Sequence, residues 1–589
     1  MRLSDFIIQW LTSKGIYDIF TVSGGGSIVL CDSVAKSDLV NYFCCHHEQA
    51  VAFSAEGYAR ASNQIGAALV TTGPGGTNAI TGVSSCWIDS IPMLFISGQV
   101  YSTQTIKDTK LRQLGVQETN IIDLVRPNTK YAVSVSDAAD IRYELEKAYH
   151  LAVSGRPGPV WIDVPADIQL AEIDPEALKV FNPLLPEQKQ FEEDLDVIIN
   201  KINLAVRPII LAGHGVKLAR CEERLIELAE KLNIPILTTW NATDIIDSDH
   251  PLFIGRPGAF AERGANFAIQ NADVIIAVGT RLPFMVTGYN VSDFGRNAYK
   301  IMVDIDKAEL EKLENVVDKT INMDARVFID MLNSSLTGQS TVEKNWVLKC
   351  QGIRKKYPIL EQNYKKSGTF VNSYFFIKEL SLLLKKDAVI VTDMGLSFVG
   401  THQAFKIKKG QKLFTNSGHA PMGWGLPAAF GATRVNHEKP VICLTGDGGF
   451  MMNIQELATV MCHRPNLKIF VYNNKGYLTI KQTQQRGFEN RLMGCSDESD
   501  MKFPDFEQIA GAHSIPFIKI KSDLEISALE EFLKLSGPGI CELIMDPNQL
   551  QIPIAINKKD KQGMTIPSRY EDLFPFLSEE ELNESLFVK

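Results

Sequence analysis

Short apolar runs rich in β-branched residues alternate with longer amphipathic stretches along most of the chain. Each run ends in glycine, proline or polar residues, which is typical of strand-helix-strand units that build a parallel sheet. The runs fall into three groups, which begin at Gly66, Met93 and Val160; at Pro208, Ile234, Val274 and Ile301; and at Ala388, Val441, Leu467 and Gly539. The pattern predicts an α/β protein with three doubly wound parallel-sheet domains.

Two polar segments interrupt this pattern. Residues 174–194 are charged and contain prolines, and residues 343–367 are polar with helical character. Such stretches are typical of connections between domains. We therefore expect domains at residues 1–180, 190–342 and 365–550, followed by a C-terminal tail at 551–589.

Composition narrows the class of protein. The chain has 589 residues, of which 45% are hydrophobic and 22% charged, and this excludes extended disorder. A net charge of −9 argues against nucleic acid as a partner. No apolar run approaches the roughly 20 residues that span a bilayer, so we expect no membrane segment. Asp5 and Gln9 interrupt the apolar N-terminal stretch, which therefore does not resemble a signal peptide, and we expect a cytoplasmic location.

The clearest chemical motif is the Gly-Asp-Gly-Gly turn at residues 446–449, between a strand and a predicted helix at 453–461. Glycines there let backbone amides approach an anion such as a diphosphate. Asp447 would repel a bare phosphate, so the motif requires a cation, and Mg²⁺ suits carboxylate, amide and carbonyl oxygens. Asn474 and the carbonyl of Gly476, at the end of the next strand, are the candidate partner ligands. The alternative is a pair of ordinary turns.

At these residues the sequence resembles the thiamine diphosphate enzymes of the acetolactate synthase and pyruvate decarboxylase type, whose signature is Gly-Asp-Gly followed further along by Asn-Asn. The resemblance covers nearly the whole chain. It implies a first domain that binds the pyrimidine ring, a central domain similar to nucleotide-binding domains, and a third domain that binds the diphosphate and Mg²⁺ through Asp447, Asn474 and Gly476.

Further motifs extend the resemblance to residues of the expected cofactor site. The His-Glu-Gln-Ala segment at 47–50 implies that Glu48 is the catalytic glutamate that protonates the aminopyrimidine. The segment at 418–429 implies that Met422 wedges between the two rings of the cofactor and that the Ala420 carbonyl accepts from its amino group. Gln117 is the second implied catalytic residue. The resemblance also assigns to the cofactor Gly24, Gly25, Gly395, Leu396, Ser397, Gly446, Gly448, Gly449, Tyr477, Leu478 and Ile480.

The central domain resembles the flavin-binding domain of acetolactate synthases. The matching positions, which imply FAD, are Arg156, Gly213, Gly215, Thr238, Thr239, Arg281, Asp304 and Ile305. The family's Arg-Phe-Asp-Asp-Arg-Val-Thr-Gly appears here as Arg-Leu-Pro-Phe-Met-Val-Thr-Gly at 281–288, without two acids and one arginine. An empty or ADP-type site is therefore an alternative.

The resemblance implies a thiamine diphosphate- and Mg²⁺-dependent decarboxylase and carboligase, with pyruvate as the donor and a carbonyl compound as the acceptor. Val116, Ala166 and Thr483 stand where acetolactate synthases carry a phenylalanine, a lysine and a tryptophan. The acceptor is thus expected to be either a 2-keto acid or something larger, such as a nucleotide-linked keto-sugar. Ile480 replaces the glutamate of pyruvate decarboxylases, which favours ligation.

Two alternatives to ligation stay open: a non-ligating 2-oxo acid decarboxylase, and a non-catalytic regulatory protein that binds thiamine diphosphate. The family places the pyrimidine-side and diphosphate-side groups of one site on different subunits. A homodimer or homotetramer is therefore expected.

Overall fold

The computed structural model describes residues 1–107, 109–183, 192–336, 342–361, 363–559 and 562–587. It contains three six-stranded sheets in which all neighbouring strands run parallel, with helices packed on their faces. The predicted α/β class with three parallel sheets is confirmed.

The first sheet lies within residues 1–183 and has the strand order β2-β1-β3-β4-β6-β5. Its strands are β1 (Asp18–Thr21), β2 (Asn41–Cys44), β3 (Gly66–Val70), β4 (Met93–Gln99), β5 (Tyr131–Ser134) and β6 (Pro159–Pro165). Its helices are α1 (Leu3–Ser13), α2 (Ile28–Lys36), α3 (Glu48–Ser62), α4 (Pro74–Asp89), α5 (Ile121–Val125), α6 (Ile141–Val153) and α7 (Ala166–Leu170).

The second sheet has the order β12-β11-β10-β7-β8-β9. Its strands are β7 (Pro208–Ala212), β8 (Ile236–Thr238), β9 (Phe253–Gly255), β10 (Val274–Val278), β11 (Tyr299–Asp304) and β12 (Lys319–Asn322). Its helices are α8 (Glu192–Leu204), α9 (His214–Leu218), α10 (Glu222–Leu232), α11 (Arg263–Asn271), α12 (Phe284–Thr287), α13 (Lys307–Glu311), α14 (Ala325–Ser335) and α15 (Trp346–Lys356).

The third sheet has the order β14-β13-β15-β16-β18-β17. Its strands are β13 (Val389–Thr392), β14 (Lys412–Thr415), β15 (Val441–Gly446), β16 (Leu467–Asn473), β17 (Phe517–Ile520) and β18 (Gly539–Ile544). Its helices are α16 (Ser373–Leu383), α17 (Leu396–Ala404), α18 (Gly425–Ala432), α19 (Asp447–Met452), α20 (Leu457–His463), α21 (Leu478–Gly487), α22 (Phe506–Ala512) and α23 (Ala528–Lys534).

The C-terminal segment packs back onto the second unit. It forms a short antiparallel pair, β19 (Lys558–Lys559) with β20 (Thr565–Ile566), and ends in α24 (Glu579–Ser585). Arg263 of α11 donates to the carbonyls of Leu573 and Pro575, and Arg296 forms an ion pair with Glu571 at 2.9 Å. Tyr570 is buried in the core of the second unit. The tail thus covers the central domain.

Helices α3 and α18 join the first and third units through backbone-to-backbone contact. A Cβ added to Gly57 would lie 2.0 Å from the carbonyl oxygen of Ala428, and one added to Gly431 would lie 1.8 Å from that of Ser54. Such distances leave no room for a side chain at either glycine. One hydrophobic cluster runs across this contact and includes Phe53 and Phe430. The two units therefore share a core.

One predicted helix differs from the structure. The segment expected at 453–461 is helical from Asp447 as α19, breaks at Asn453 and resumes as α20. The break has a polar cause, because the Asn453 side chain donates to the carbonyl of Gly423 at 2.8 Å and to Oε1 of Gln49 at 3.1 Å. Asn453 accordingly leaves helical geometry, with φ −133° and ψ 33°.

The contact between α3 and α18 generates a stability prediction. Gly431→Ala should lower the free energy of unfolding by about 3 kcal/mol, because its methyl group would overlap the Ser54 carbonyl. The matched control is Gly352→Ala within α15, where an added Cβ meets nothing within 4 Å. This change should raise stability by up to about 1 kcal/mol. Thermal unfolding measures both, and equal midpoints for the two variants would contradict the tight contact.

Candidate functional site

The Gly-Asp-Gly-Gly turn and the Asn-Asn segment lie side by side at the carboxyl ends of the paired strands β15 and β16. The Asp447 carboxylate holds them together. Its Oδ1 accepts from the backbone N–H of Gly448 at 2.7 Å, and its Oδ2 accepts from those of Asn474 at 3.1 Å and Gly476 at 3.0 Å. The structure thus brings together the three predicted metal ligands.

The electrostatics of this turn suit a cation. Burial raises the pKa of Asp447 to about 7, although the backbone N–H groups oppose the shift. The side-chain oxygen Oδ1 of Asn474 is buried and has no hydrogen-bond partner among the described residues. A buried carbonyl oxygen without a partner is costly. A hard cation such as Mg²⁺ would satisfy this oxygen and the carboxylate at once.

Two glycines of the third unit leave backbone open to a ligand. A Cβ added to Gly395, with φ +83°, or to Gly446 would meet no atom within 4 Å. The backbone after Gly395 begins α17 with Leu396, whose side chain is buried in the core. The hydroxyl of Ser397 is buried and donates to the carbonyl of Met394 at 3.1 Å. Backbone amides, rather than this hydroxyl, are therefore the groups free to bind an anion.

Met422 and Tyr477 lie against the Gly-Asp-Gly-Gly turn. A Cβ added to Gly448 would meet the Tyr477 ring at 2.0 Å and the Met422 Cε atom at 3.1 Å. Ala420, two residues before Met422, adopts a left-handed conformation with φ 58°. A non-glycine residue in this region stores backbone strain, which is typical of functional turns. The turn predicted to carry Ala420 and Met422 is thus built beside Asp447.

Asp393 is a residue that the sequence analysis did not assign to the site. It follows β13 and is 1% exposed. Its Oδ2 accepts from the N–H of Gly423 at 3.1 Å and the hydroxyl of Thr445 at 2.9 Å, and its Oδ1 accepts from the N–H of Met394 at 2.8 Å. Asp393 therefore ties together the Gly395 loop, the Met422 turn and the strand before Asp447. An acid directly after a buried strand was the available signal.

A second cluster forms at the carboxyl ends of the first sheet. Glu48 begins α3, and its Oε2 accepts from the Asn78 side chain at 2.9 Å. A Cβ added to Gly75 would lie 3.5 Å from Glu48 Oε1 and 2.6 Å from Thr71 Cγ2. Thr71 also accepts from the N–H of Gly26 at 3.1 Å. Glu48 therefore lies beside the turns that follow β1 and β3.

Gly24, Gly25 and Gln117 border this cluster. A Cβ added to Gly24 would lie 2.6 Å from Thr71, whereas one added to Gly25 would meet nothing within 4 Å. Gln117 has φ 65°, and its carbonyl oxygen would lie 2.2 Å from a Cβ on Gly73. Its backbone thus packs on the turn after β3, while its side chain is exposed.

Within one chain the two clusters are neighbours but do not join. Gln49, next to Glu48, accepts from Asn453 at 3.1 Å. In the described part of the chain, no hydrogen bond links Glu48 to Asp447 or Asn474.

The two predicted residues that follow Tyr477 differ in exposure. Leu478 is buried in the core of the third unit, and its side chain does not face solvent. Ile480 is 47% exposed.

A cavity of about 320 Å³ lies between the first and second units. Of the predicted nucleotide-site residues, it is lined by Arg156, Gly215, Thr239, Arg281, Asp304 and Ile305. Arg156 already bonds to Asp306 at 2.8 Å and to Glu309 at 2.9 Å. Burial raises the pKa of Asp304.

Two predicted residues do not line the cavity. A Cβ on Gly213 would lie 2.2 Å from the carbonyl oxygen of Gly279. Glycine at 213 therefore allows the backbone segments at residues 213 and 279 to pack closely. Thr238 is buried in the second unit at the end of β8, and its hydroxyl has no hydrogen-bond partner among the described residues.

Comparison with known proteins identifies the family. Three family models match the chain: the N-terminal TPP binding domain of thiamine pyrophosphate enzymes at residues 1–122, their central domain at 195–332, and their C-terminal TPP binding domain at 393–543. The chain belongs to the thiamine pyrophosphate enzymes. Thiamine pyrophosphate is another name for thiamine diphosphate, so the expected family is confirmed.

Relatives of this thiamine pyrophosphate enzyme match most of its length. It is 31% identical to the acetolactate synthase large subunit of Cyanidium caldarium, over 95% of this chain and 96% of that protein. Identity is 33% with the probable large subunit of Methanocaldococcus jannaschii, over 93% and 92%. Identity is 31% with acetolactate synthase isozyme 2 large subunit of Escherichia coli, over 93% and 96%.

The residues around Asp447 in this thiamine pyrophosphate enzyme suit a divalent cation and the diphosphate of the cofactor. Among the described residues, no group of three or more His, Cys, Asp or Glu side chains could hold a metal ion. A cation here would therefore depend on one carboxylate with amide and carbonyl oxygens, which is the set formed by Asp447, Asn474 and Gly476. None of the described helices is long and apolar enough to cross a bilayer.

The buried Asp393 generates a pH prediction. Burial raises its pKa to about 6, so between pH about 4 and 6 the folded protein holds a proton that the unfolded chain has released. Wild type should therefore lose up to about 3 kcal/mol of stability relative to Asp393→Asn as pH rises through this window. Above about pH 6, the difference in unfolding free energy between wild type and Asp393→Asn should be constant.

Denaturant unfolding of wild type and Asp393→Asn, carried out in buffers from pH 4 to pH 8, measures that difference. A difference that does not change with pH would show that Asp393 ionises with its ordinary pKa. The exposed Asn436→Ala serves as the control, and its difference from wild type should not change with pH, because neither side chain titrates.

Proposed function

We propose that this protein is a carboligase that uses thiamine diphosphate and Mg²⁺ to decarboxylate pyruvate and transfer the two-carbon unit to a carbonyl acceptor. Membership of the thiamine pyrophosphate enzymes supports the decarboxylase and carboligase class. The observation that carries the proposal in this chain is the partnerless Oδ1 of Asn474 beside the buried Asp447 carboxylate. The names of the relatives, acetolactate synthase large subunits, support ligation.

Each of the two clusters would bind a different part of the cofactor. Asp447, Asn474 and the Gly476 carbonyl would hold Mg²⁺ on the diphosphate, and the open backbone at Gly395 and Gly446 would admit the diphosphate oxygens. When bound, thiamine diphosphate accepts the electrons released as CO₂ leaves a 2-oxo acid.

Glu48 would hold a proton against a ring nitrogen of the pyrimidine. Asn78 fixes the orientation of this carboxyl by donating to Oε2 at 2.9 Å. The unbranched Met422 side chain would support the bent form of the cofactor. Gln117 and Ile480 would border the space where the substrates meet.

Two copies of the chain are needed in this proposal. Glu48 makes its side-chain hydrogen bond within the first unit, and the Gly-Asp-Gly-Gly turn lies on the third. Val116, at 85% exposed, and Ile480, at 47% exposed, leave apolar surface near both clusters. A homodimer or homotetramer would join the Glu48 cluster of one subunit to the Asp447 cluster of another. A cytoplasmic location stays a prediction from the sequence.

For the acceptor we favour a carbonyl compound larger than a second pyruvate. Ala166 begins α7 directly after β6 and supplies no charge to attract a small carboxylate. Thr483 on α21 is exposed and small, and it offers no aromatic wall. A nucleotide-linked keto-sugar suits the wider space that these residues would leave. A second 2-keto acid is the acceptor that the relatives' names suggest.

FAD is proposed for the cavity lined by Arg156, Arg281 and Asp304. Its position at the ends of β10 and β11, and the close approach of Gly215 to Gly279, support a nucleotide. ADP is the alternative, and the flavin absorption of the purified protein distinguishes the two.

The cation site is tested with Asn474→Ala. Removal of one ligand should weaken Mg²⁺-dependent binding of thiamine diphosphate by roughly tenfold or more, as measured by calorimetry. Asn436→Ala, at an exposed turn of the same unit, is the control and should bind as wild type does. Equal affinities for the two variants would remove Asn474 from the site.

The reaction is tested by incubating the protein with Mg²⁺, thiamine diphosphate and pyruvate. We expect CO₂ release with little acetolactate, and a new ketol when a nucleotide-linked keto-sugar is added. Rapid formation of acetolactate as the main product would refute the larger acceptor. Acetaldehyde as the final product in all mixtures would identify a non-ligating decarboxylase. No CO₂ from any 2-oxo acid, with the cofactor bound, would identify a non-catalytic protein.

A further inference from the structure

A second cavity, of about 580 Å³, lies where the three units meet. Its walls come from the connection between α1 and β1, the end of α3, helices α6 and α9, and strand β14. It borders the 320 Å³ cavity proposed for FAD (the nucleotide cavity), with which it shares Val153, Pro157, His214 and Leu218. Neither Glu48 nor Asp447 lines it.

Among the Asp, Glu, Lys and Arg side chains, those that line this cavity are all cations. Four cationic side chains line it: Lys14, Arg60, Lys217 and Arg220. No Asp or Glu is among its lining residues. The whole chain carries a net charge of −9, so a wall with only cations runs against the charge of the protein. Clefts lined by one sign of charge concentrate ligands of the opposite sign.

The cations differ in how far they are already neutralised. Lys217 lies 2.6 and 2.9 Å from the two carboxylate oxygens of Asp244. Lys14 and Arg220 are exposed at the rim, and no salt bridge joins either to a carboxylate in the described ranges. Arg220 donates only to a neutral group, the carbonyl of Asn63, at 2.8 Å. The rim thus keeps two positive charges available to a ligand.

Arg60 belongs to the cavity wall, but its side chain is 1% exposed and is paired with two acids. Its Nε and Nη2 atoms donate to Glu56, and Nη2 also donates to Asp89 at 2.7 Å. Its Nη1 atom is buried and has no hydrogen-bond partner among the described residues. Buried guanidinium donors are normally paired, and a carboxylate or phosphate oxygen is the partner they prefer.

The other walls are aromatic and apolar. Tyr17, Tyr58, Tyr149 and Phe414 line the cavity together with Ile65. The volume lies within the range of roughly 300 to 1,000 Å³ that is typical of small-molecule sites. We propose that this cavity binds a small organic anion, whose carboxylate or phosphate group contacts Lys14 and Arg220 at the rim and whose body packs against the aromatic walls.

The cavity is connected by hydrogen bonds to the active-site turn. Glu56, the ion-pair partner of Arg60, accepts from the Trp424 indole at 2.8 Å and from the Asn416 side chain at 3.2 Å. Asn416 in turn accepts from the N–H of Ala420 at 3.3 Å. Arg60 therefore links the wall of the cavity to the ion-pair network that supports the turn carrying Ala420 and Met422.

The test measures binding by calorimetry on the full-length protein, and it needs no turnover. The probes are benzoate, phenyl phosphate and the neutral benzyl alcohol. We expect saturable binding of at least one anion and none of the alcohol. The anion that binds more tightly tells whether the site takes a carboxylate or a phosphate.

The rim charges provide the decisive variant. The double change Lys14→Gln and Arg220→Gln should weaken binding of the preferred anion at least tenfold, because it removes both unpaired charges from the rim. The matched control is Lys344→Gln with Lys386→Gln, two exposed lysines outside the cavity, and it should bind as wild type does. Circular dichroism checks that both variants fold.

Three results would overturn the proposal. The first is that neither anion binds. The second is that the rim variant and its control bind with equal affinity. The third is that Arg156→Gln removes binding while the rim variant keeps it, which would locate the anion in the nucleotide cavity.

Discussion

The contact between α3 and α18 is the constraint on which the rest of the structure depends. Each helix presents a glycine to the backbone of the other, so the separation of the helices is fixed by main-chain atoms rather than by adjustable side chains. Glu48 begins one of these helices, and the turn containing Met422 leads into the other. Both functional clusters are consequently attached to a junction with little freedom to shift.

Buried carboxylates organise the loops at the end of the third sheet, and two of them differ in an instructive way. Asp393 accepts from two backbone N–H groups and a hydroxyl, and its neighbours are donors. Asp447 also accepts from backbone N–H groups, but it lies beside Asn474, whose side-chain oxygen has no donor in the described part of the chain. The hydrogen bonds of Asp393 are all supplied by the protein, whereas the unpartnered oxygen beside Asp447 is the basis on which we propose a cation there.

Much of the fold followed from the sequence because buried parallel strands are continuous apolar runs. The runs at Gly66, Val274 and Val441 all became central strands. Short edge strands such as β2 and β17 were missed, since their residues are partly exposed and carry a weaker pattern. The proximity of the Gly-Asp-Gly-Gly turn to the Asn-Asn segment was predictable, because each follows a buried strand and the two strands are neighbours in the sheet. The role of Asp393 was not, because its partners Gly423 and Thr445 are distant along the chain.

The C-terminal segment has a consequence for how the chain is made. Arg263 and Asn271 on α11 give their side-chain donors to carbonyls of Leu573, Pro575 and Ser585, more than 300 positions later. During synthesis the middle of the protein emerges from the ribosome long before these acceptors exist. The donor groups of Arg263 and Asn271 must therefore stay hydrated until residues 573–585 have been synthesised.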